Sequence, residues 1–98
     1  MEIKTNKENA SMTCVITGRI DTMTAPEVER EVMSNLDGVT ELTLDFENVE
    51  YISSAGLRVL LSAQKQMNKQ GDMRLIHVRD EVQEVFDITG FSDILTVE

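Results

Sequence analysis

Apolar and polar residues alternate over four short segments of the chain, and this period of two predicts four β-strands. The predicted strands cover residues 2–6, 12–17, 41–46 and 73–78. A polar break at residues 7–10 separates the first two strands, so we expect them to form a hairpin whose second strand ends at Gly18. In the third strand, the alternation places Leu42, Leu44 and Phe46 on one face.

Apolar residues recur at spacings of three and four in three further segments, a pattern that predicts amphipathic α-helices. The first helix is expected to start at a capping box formed by Thr24 and Glu27, with Pro26 tolerated in its first turn. The second helix is predicted over residues 54–70 and the third over residues 81–89. The expected inward residues are Ala25, Val28, Val32 and Leu36 in the first helix, Leu57, Leu60, Leu61, Gln64 and Met67 in the second, and Val82, Val85 and Phe86 in the third.

Glycines follow the predicted helices at Gly38, Gly71 and Gly90, and we expect them to end those helices. Gly90 precedes the apolar Phe91, which is typical of a Schellman ending. Residues 94–97 form either a last short strand or a docked tail. The order β-β-α-β-α-β-α predicts an α/β fold with a mixed sheet, parallel apart from the opening hairpin.

The 98 residues support one domain, spanning residues 1–98, with a single modest core. The 9 basic and 18 acidic side chains give a net charge of −9, which argues against binding to nucleic acid or to an anionic membrane surface. This acidity either attracts a basic partner surface or only keeps the protein soluble. No apolar run approaches the ~20 residues that span a bilayer, and the first residues form no apolar signal core, so we expect a cytoplasmic protein.

The sequence carries none of the common motifs of enzymes and metal sites. It has no GxxxxGK(S/T) phosphate loop, GxGxxG fingerprint, HExxH, CxxC or GxSxG elbow. Its single cysteine, Cys14, excludes an intrachain disulfide and lies in an alternating apolar run, where we expect a buried thiol. One histidine and one cysteine cannot build a zinc site of the usual kinds. We therefore expect a protein that is not an enzyme and that needs no metal or cofactor.

Two adjacent serines, Ser53 and Ser54, stand where the second helix is predicted to begin. Unpaired N–H groups and the positive end of the helix dipole make such a position suitable for an anion or a phosphate. A helix cap needs only one hydroxyl, so the second is a candidate functional group. Gly56 in the first turn lowers helix propensity by ~1 kcal/mol relative to alanine, which indicates that the sheet or a partner approaches closely.

Other residues near these serines allow two interpretations each. Asp21 follows the second strand and is either a neighbour of Ser54 at the same sheet edge or a solvated turn residue. His77 is either the partner of Ser54 in a hydrolase-like pair or, as we favour, an ordinary histidine. Arg58 and two lysines of the second helix form either a partner-facing strip or a solvated surface. Nucleotide binding at the Ser54 helix terminus is a further alternative, weakened by the missing glycine-rich loop.

The segment DFENVEYISSAGL at residues 45–57 resembles the core motif of the STAS family, the bacterial anti-sigma factor antagonists. Residues 18–25, GRIDTMTA, are similar to the first-loop motif of that family. Residues 85–91, VFDITGF, are similar to its third helix and the exit from that helix. The resemblance covers essentially the whole chain, and it implies a small mixed β-sheet with helices packed mainly on one face.

Members of this family bind an anti-sigma factor that is also a serine protein kinase, and they thereby free a sigma factor. The resemblance implies that phosphorylation of Ser54 ends this interaction and that a PP2C-type phosphatase restores it, with Asp21 as the nearby first-loop acid. It further implies a partner-binding surface composed of Asp21, Thr22, Ser53, Ser54, Ala55, Gly56 and Arg58.

The chain departs from the usual motif on both sides of Ser54. Phosphorylated members usually carry an acidic residue before the serine and often Ser or Thr after it, whereas this chain has Ser53 and Ala55. Ser53 is therefore the second choice for the modified residue. The alternative function is a STAS module that is not phosphorylated and serves as a scaffold or as a small subunit of a transport or stress-signalling complex.

Overall fold

The computed structural model describes residues 1–98 and contains one four-stranded sheet in the order β1-β2-β3-β4. The strands are β1 (Glu2–Glu8), β2 (Ser11–Ile20), β3 (Glu41–Ile52) and β4 (Asp72–Ile76). Strands β1 and β2 pair antiparallel, whereas β2–β3 and β3–β4 pair parallel. The predicted mixed sheet with an opening hairpin is therefore confirmed.

Strands β2 and β3 are longer than their apolar alternation predicts, because β-bulges interrupt the period of two. The register shifts between Val15 and Thr17 and again between Gly18 and Arg19. Gly18 adopts a φ of 119°, a backbone conformation that favours glycine, and the strand continues to Ile20. The prediction that Gly18 ends the strand is therefore wrong.

Three α-helices follow the strands in the predicted order: α1 (Ala25–Met33), α2 (Ser54–Gln70) and α3 (Asp80–Thr89). The predicted bounds of α2 are confirmed. Helix α1 ends at Met33, before the predicted end. Leu36 is buried, but it lies in the loop that follows the helix, and Gly38 lies in the same loop rather than at the helix end. Gly90 ends α3 in the left-handed conformation, as predicted.

Gly71 ends α2 for a reason that differs from the predicted one. Its φ of 172° is ordinary extended backbone. A Cβ atom at this position would lie 2.0 Å from the carbonyl oxygen of Thr40. Glycine is required here because the chain before β3 passes directly against the end of the helix.

The three helices pack on the same face of the sheet. On β1, Thr5 points to the same side as Cys14 of β2, and its hydroxyl donates to Glu31 of α1 at 3.0 Å. On β3, the ring of Phe46 packs against Phe86 of α3 with 6.4 Å between centroids. Cys14 lies opposite Leu44, which has the same facing as Phe46, so these contacts share one side. The predicted layering of helices on one face is confirmed.

The core between the helices and the sheet contains 24 buried apolar residues, mostly Val, Ile, Leu and Met as the composition requires. Most predicted inward residues belong to it, but Leu61 and Val85 are only half-buried. Val59 and Ala63 are buried and were not predicted, because the second helix buries a wider face than one stripe. Cys14 is fully buried, as expected, and this burial raises the pKa of its thiol.

The two ends of the chain lie at opposite ends of the sheet. After a 3-10 turn at Phe91–Asp93, Val97 forms a single parallel bridge with Leu75 of β4, so the last residues are a docked tail. At the other end, the backbone of Met1 approaches Gly18, near the end of β2. No helix is both long enough and apolar enough to cross a membrane.

Candidate functional site

The carboxyl ends of β2 and β3 bring the first loop against the start of α2. The last residues of the two strands, Ile20 and Ile52, lie opposite each other in the parallel ladder. The N–H of Ser53 continues that ladder by donating to the carbonyl of Ile20 at 2.8 Å. Asp21 is therefore adjacent to the helix start, and the expectation that it shares an edge with Ser54 is confirmed.

Ser53 and Ser54 occupy different structural positions. Ser53 is the N-cap of α2, half-buried, and its hydroxyl oxygen accepts a hydrogen bond from the N–H of Gly56 at 3.4 Å. Ser54 is the first helical residue, it is exposed, and its hydroxyl forms no hydrogen bond within the protein. Since Ser53 satisfies the cap, the hydroxyl of Ser54 is free and accessible to solvent.

The backbone around Ser54 presents unsatisfied donors. The N–H groups of Ser54 and Ala55 have no backbone acceptor, as expected for the first turn of a helix. No acidic residue lies in this first turn. The helix start therefore has a local positive potential that favours a negative charge on the Ser54 side chain.

Asp21 organises the first loop. Its carboxylate accepts hydrogen bonds from the N–H groups of Met23 at 3.0 Å and Thr24 at 3.1 Å, and its carbonyl accepts from Ala25 at 2.8 Å. The bond from the Thr24 backbone is the main cause that lowers the pKa of Asp21 below its usual range. The fixed loop presents Thr22 and Met23 to solvent, and Met23 is 86% exposed.

The predicted capping box at Thr24 is wrong. The hydroxyl of Thr24 donates to the carbonyl of Arg19 at 2.6 Å and accepts from the N–H of Asp21 at 2.9 Å, so it forms no cap with α1. Asp21 takes over the donors that start the helix, and Glu27 remains exposed. A hydroxyl three residues before a glutamate fits both arrangements, and the tertiary position of Arg19 decides between them.

Protonation of Asp21 should release the first loop. Its pKa is lowered in the folded protein, so its stabilising contribution is present above the unfolded pKa and is lost as the pH falls through the folded pKa. We expect the amide NMR resonances of Met23 and Thr24 to shift together with that titration, below the usual aspartate range. The Asp21→Asn variant should lack this transition, whereas an Asp37→Asn control should keep it. An Asp21 that titrates at the normal pH would contradict this account.

A shallow groove of about 250 Å³ lies between α1 and α2 beside the serine pair. Its lining includes Thr22, Pro26 and Glu29 on one side and Ala55 and Arg58 on the other. Arg58 is the only basic residue in the lining, and it is exposed. Six of the seven predicted partner-binding residues therefore lie along one continuous surface at the sheet edge and the groove.

Gly56, the seventh, is buried and faces the sheet instead. A Cβ atom there would lie 2.7 Å from side-chain carbons of both Ile20 and Ile52. The close approach that the glycine indicates is thus made by the sheet, and Gly56 acts by holding the helix start against the strand ends.

Replacing Gly56 by alanine should destabilise the protein and shift the helix start. Overpacking against Ile20 and Ile52 costs about 1–3 kcal/mol, which outweighs the ~1 kcal/mol gained in helix propensity. Urea unfolding of Gly56→Ala and wild type measures the difference. Ser54→Ala at the exposed neighbouring position serves as the control and should unfold like wild type. A Gly56→Ala protein that is more stable than wild type would contradict the packing role.

Comparison with known proteins assigns the chain to a family. The family model described as "STAS domain" matches residues 2–98. The chain belongs to the STAS domain family. It is 34% identical to BtrV of Bordetella bronchiseptica over 99 residues, covering 99% of this chain and 85% of the relative. It is 29% identical to the anti-sigma-B factor antagonist of Staphylococcus aureus over 100 residues, covering 99% of this chain and 92% of the relative.

Solved structures share the fold of this STAS domain. The unphosphorylated form of the anti-sigma factor antagonist SpoIIAA superposes with a TM-score of 0.77, covering 99% of this chain and 87% of that one, at 14% identity. The phosphorylated form of SpoIIAA from Bacillus gives a TM-score of 0.76, covering 99% and 91%, also at 14% identity. At this level of identity the likeness concerns the fold.

His77 of the STAS domain does not contact Ser54. Its Nδ1 lies 3.0 Å from a carboxylate oxygen of Asp45, which is seven residues before the end of β3 at Ile52. At ~3.3 Å per residue, this places the histidine about 20 Å from the helix start. The alternative of a hydrolase-like pair is therefore wrong, and the favoured interpretation of an ordinary histidine agrees with this position. No group of three or more His, Cys, Asp or Glu side chains could hold a metal ion.

Two residues at the same edge, Arg19 and Tyr51, were not predicted from the sequence. The guanidinium of Arg19 lies 4.2 Å from the ring centroid of Tyr51, and both side chains are exposed. The two residues are opposite each other in the ladder only because bulges shift the register between β2 and β3. A continuous alternation of apolar and polar residues does not predict this pairing. The nearby Asp21, itself a candidate site residue, was the one signal that this segment belongs to the site.

Proposed function

We propose that this STAS domain is an anti-sigma factor antagonist whose binding is switched off by phosphorylation of Ser54. The observation that carries the proposal is the exposed hydroxyl of Ser54. It forms no hydrogen bond within the protein, because Ser53 caps the helix. The relatives named as anti-sigma factor antagonists support the partner class. The unmodified protein binds the anti-sigma factor, which releases a sigma factor.

The binding surface consists of the first loop, the start of α2 and the groove between the helices. Thr22 and Met23 project from a loop that the Asp21 hydrogen bonds hold in place. Ala55 and Arg58 border the groove. A surface with a prearranged loop and exposed apolar atoms binds with less ordering entropy than a flexible one, so it suits a reversible protein interaction.

Phosphorylation acts on the interface rather than on the fold. A phosphate adds about −1.5 to −2 charges at pH 7, and the unpaired N–H groups of Ser54 and Ala55 favour that charge by ~0.3–1 kcal/mol. The domain therefore stays folded. At the interface the same charge must be desolvated and repels any partner carboxylate, which lowers affinity.

This chain supplies a substrate hydroxyl and no catalytic group. A serine protein kinase, the anti-sigma factor itself, provides the base and the metal-bound ATP. The oxygen of Ser54 attacks the γ-phosphoryl group, its proton passes to the kinase base, and ADP leaves. A PP2C-type phosphatase hydrolyses the phosphate ester and restores the hydroxyl.

The capping arrangement supports Ser54 over Ser53 as the modified residue. The oxygen of Ser53 is half-buried and holds the N–H of Gly56, so its modification would break the helix cap. The departure of Ser53 and Ala55 from the usual motif leaves the exposure of Ser54 unchanged.

Incubation with the anti-sigma factor of the native host and ATP tests the proposal. Intact mass spectrometry should show a gain of about 80 Da, one phosphate, in wild type and in Ser53→Ala but not in Ser54→Ala. No gain in wild type, with retained binding to the anti-sigma factor, would instead favour a STAS module that is not phosphorylated. Calorimetry with ATP alone should give no heat, because the domain itself does not bind the nucleotide.

A further inference from the structure

Arg58 is placed to interact with any charge added to Ser54. The two residues lie four positions apart in α2, and both are exposed. Side chains at this spacing share one face of a helix, with Cβ atoms about 6 Å apart. An extended arginine side chain covers that distance and presents a planar fork of N–H donors that matches phosphate oxygens.

The guanidinium of Arg58 is uncommitted in the unmodified protein. The ion pairs of the structure are Arg74–Glu98 and His77–Asp45, so Arg58 forms none even though Glu29 lines the same groove. The arginine side chains that form hydrogen bonds are those of Arg74 and Arg79, so the side chain of Arg58 forms none either. It is therefore available to a partner before modification and to a phosphate afterwards.

Two other basic groups are less suitable. Arg19 is already stacked over the ring of Tyr51, and it lies on β2 rather than on the helix that carries Ser54. Lys65 lies eleven positions beyond Ser54 in α2, about 16 Å along the helix axis. Arg58 is thus the cation whose position on the helix matches the hydroxyl.

We propose that a phosphate on Ser54 is bound in cis by Arg58, and that phosphorylation thereby withdraws Arg58 from the partner-binding surface. This inference rests on the proposed function, in which Ser54 is the modified residue. The unpaired N–H groups of Ser54 and Ala55 complete the set of donors around the phosphate. Release of the partner then has two causes: the interface gains a negative charge and loses the one cation of the groove.

A ³¹P NMR titration of the full chain with phosphoserine installed at position 54 during translation tests this pairing without any kinase. A nearby cation favours the dianionic phosphate, so the wild-type midpoint should lie at lower pH than that of Arg58→Gln, by about 0.5 pH unit. The midpoint of Arg58→Lys should lie close to that of wild type and below that of Arg58→Gln, because the positive charge is retained. Lys65→Gln should titrate like wild type, and 1 M NaCl should shrink the Arg58 effect.

Identical midpoints for wild type and Arg58→Gln would overturn the inference. So would an equal shift in Lys65→Gln, since that would show a general charge effect rather than a specific pair. The kinase assay described above is independent of this measurement. If the kinase fails to modify Ser54 while the titration shows the shift, the proposed function fails and the pairing stands. If the kinase modifies Ser54 while the titration shows no shift, the pairing fails and the proposed function stands.

Discussion

A phosphate on Ser54 should weaken binding of this STAS domain to the proposed anti-sigma factor partner at least 100-fold. Ser54 is exposed beside the first loop, so the new charge lies inside the proposed interface. Two negative groups held ~4 Å apart repel by several kcal/mol at an effective dielectric constant near 20. Each 1.4 kcal/mol changes the affinity tenfold, so two such steps give the expected loss. Calorimetric titration of the anti-sigma factor with phosphorylated and unphosphorylated protein measures it.

The Ser54→Asp variant should weaken binding in the same direction but less, because it carries one charge and fewer acceptor oxygens. Asn68→Asp, at an exposed position of the same helix fourteen residues further on, is the matched control and should bind like wild type. The affinity difference should shrink as salt rises, since exposed charges are screened. Equal affinity of the Ser54 and Ser54→Asp proteins at low salt would argue against an electrostatic switch.

Leu60→Ala should destabilise the domain by about 2–5 kcal/mol. Leu60 is 1% exposed and belongs to the apolar core between α2 and the sheet. Truncation removes buried methyl groups and leaves a cavity that the surrounding helices and strands fill only in part. For a domain of this size, such a loss is a large fraction of the total stability. Urea unfolding followed by circular dichroism gives the free energy directly.

The adjacent Leu61→Ala variant is the control for Leu60→Ala. Leu61 is only half-buried, so the same chemical change should have a clearly smaller effect. Equal losses at both positions would mean that α2 does not face the sheet as described. Both variants should retain the unfolding slope of wild type, because the surface exposed on unfolding is nearly unchanged.

Helix α2 and the sheet topology could be predicted because their signals are local and uninterrupted. The apolar spacing of Leu57, Leu60 and Met67 runs without a break to Gly71, and all three side chains are buried. The ends of β2 and β3 could not be predicted, because bulges after Val15 break the alternation on which a strand is recognised. The order of the elements predicts that the two strand ends share an edge, but the register that pairs Ile20 with Ile52 is a tertiary property that no local pattern encodes.

The position of the candidate site could be predicted, but the separate roles of its two serines could not. Two serines at a helix start indicate one cap and one spare hydroxyl, and only the geometry assigns the cap to Ser53. The misassigned capping box at Thr24 has a similar origin, since its hydroxyl is used by the carbonyl of Arg19 five residues earlier. Short polar side chains have several backbone partners within reach, and packing selects among them.

The docked tail determines how this domain is best immobilised. Val97 pairs with Leu75, and Leu75 lies opposite Leu44, eight residues and about 26 Å of strand before Ile52. A solid support or reporter attached after Glu98 therefore stays remote from the edge that carries the first loop and the start of α2. One attached before Met1, whose backbone approaches Gly18, crowds that edge. Biosensor chips should thus carry the domain by its carboxyl end.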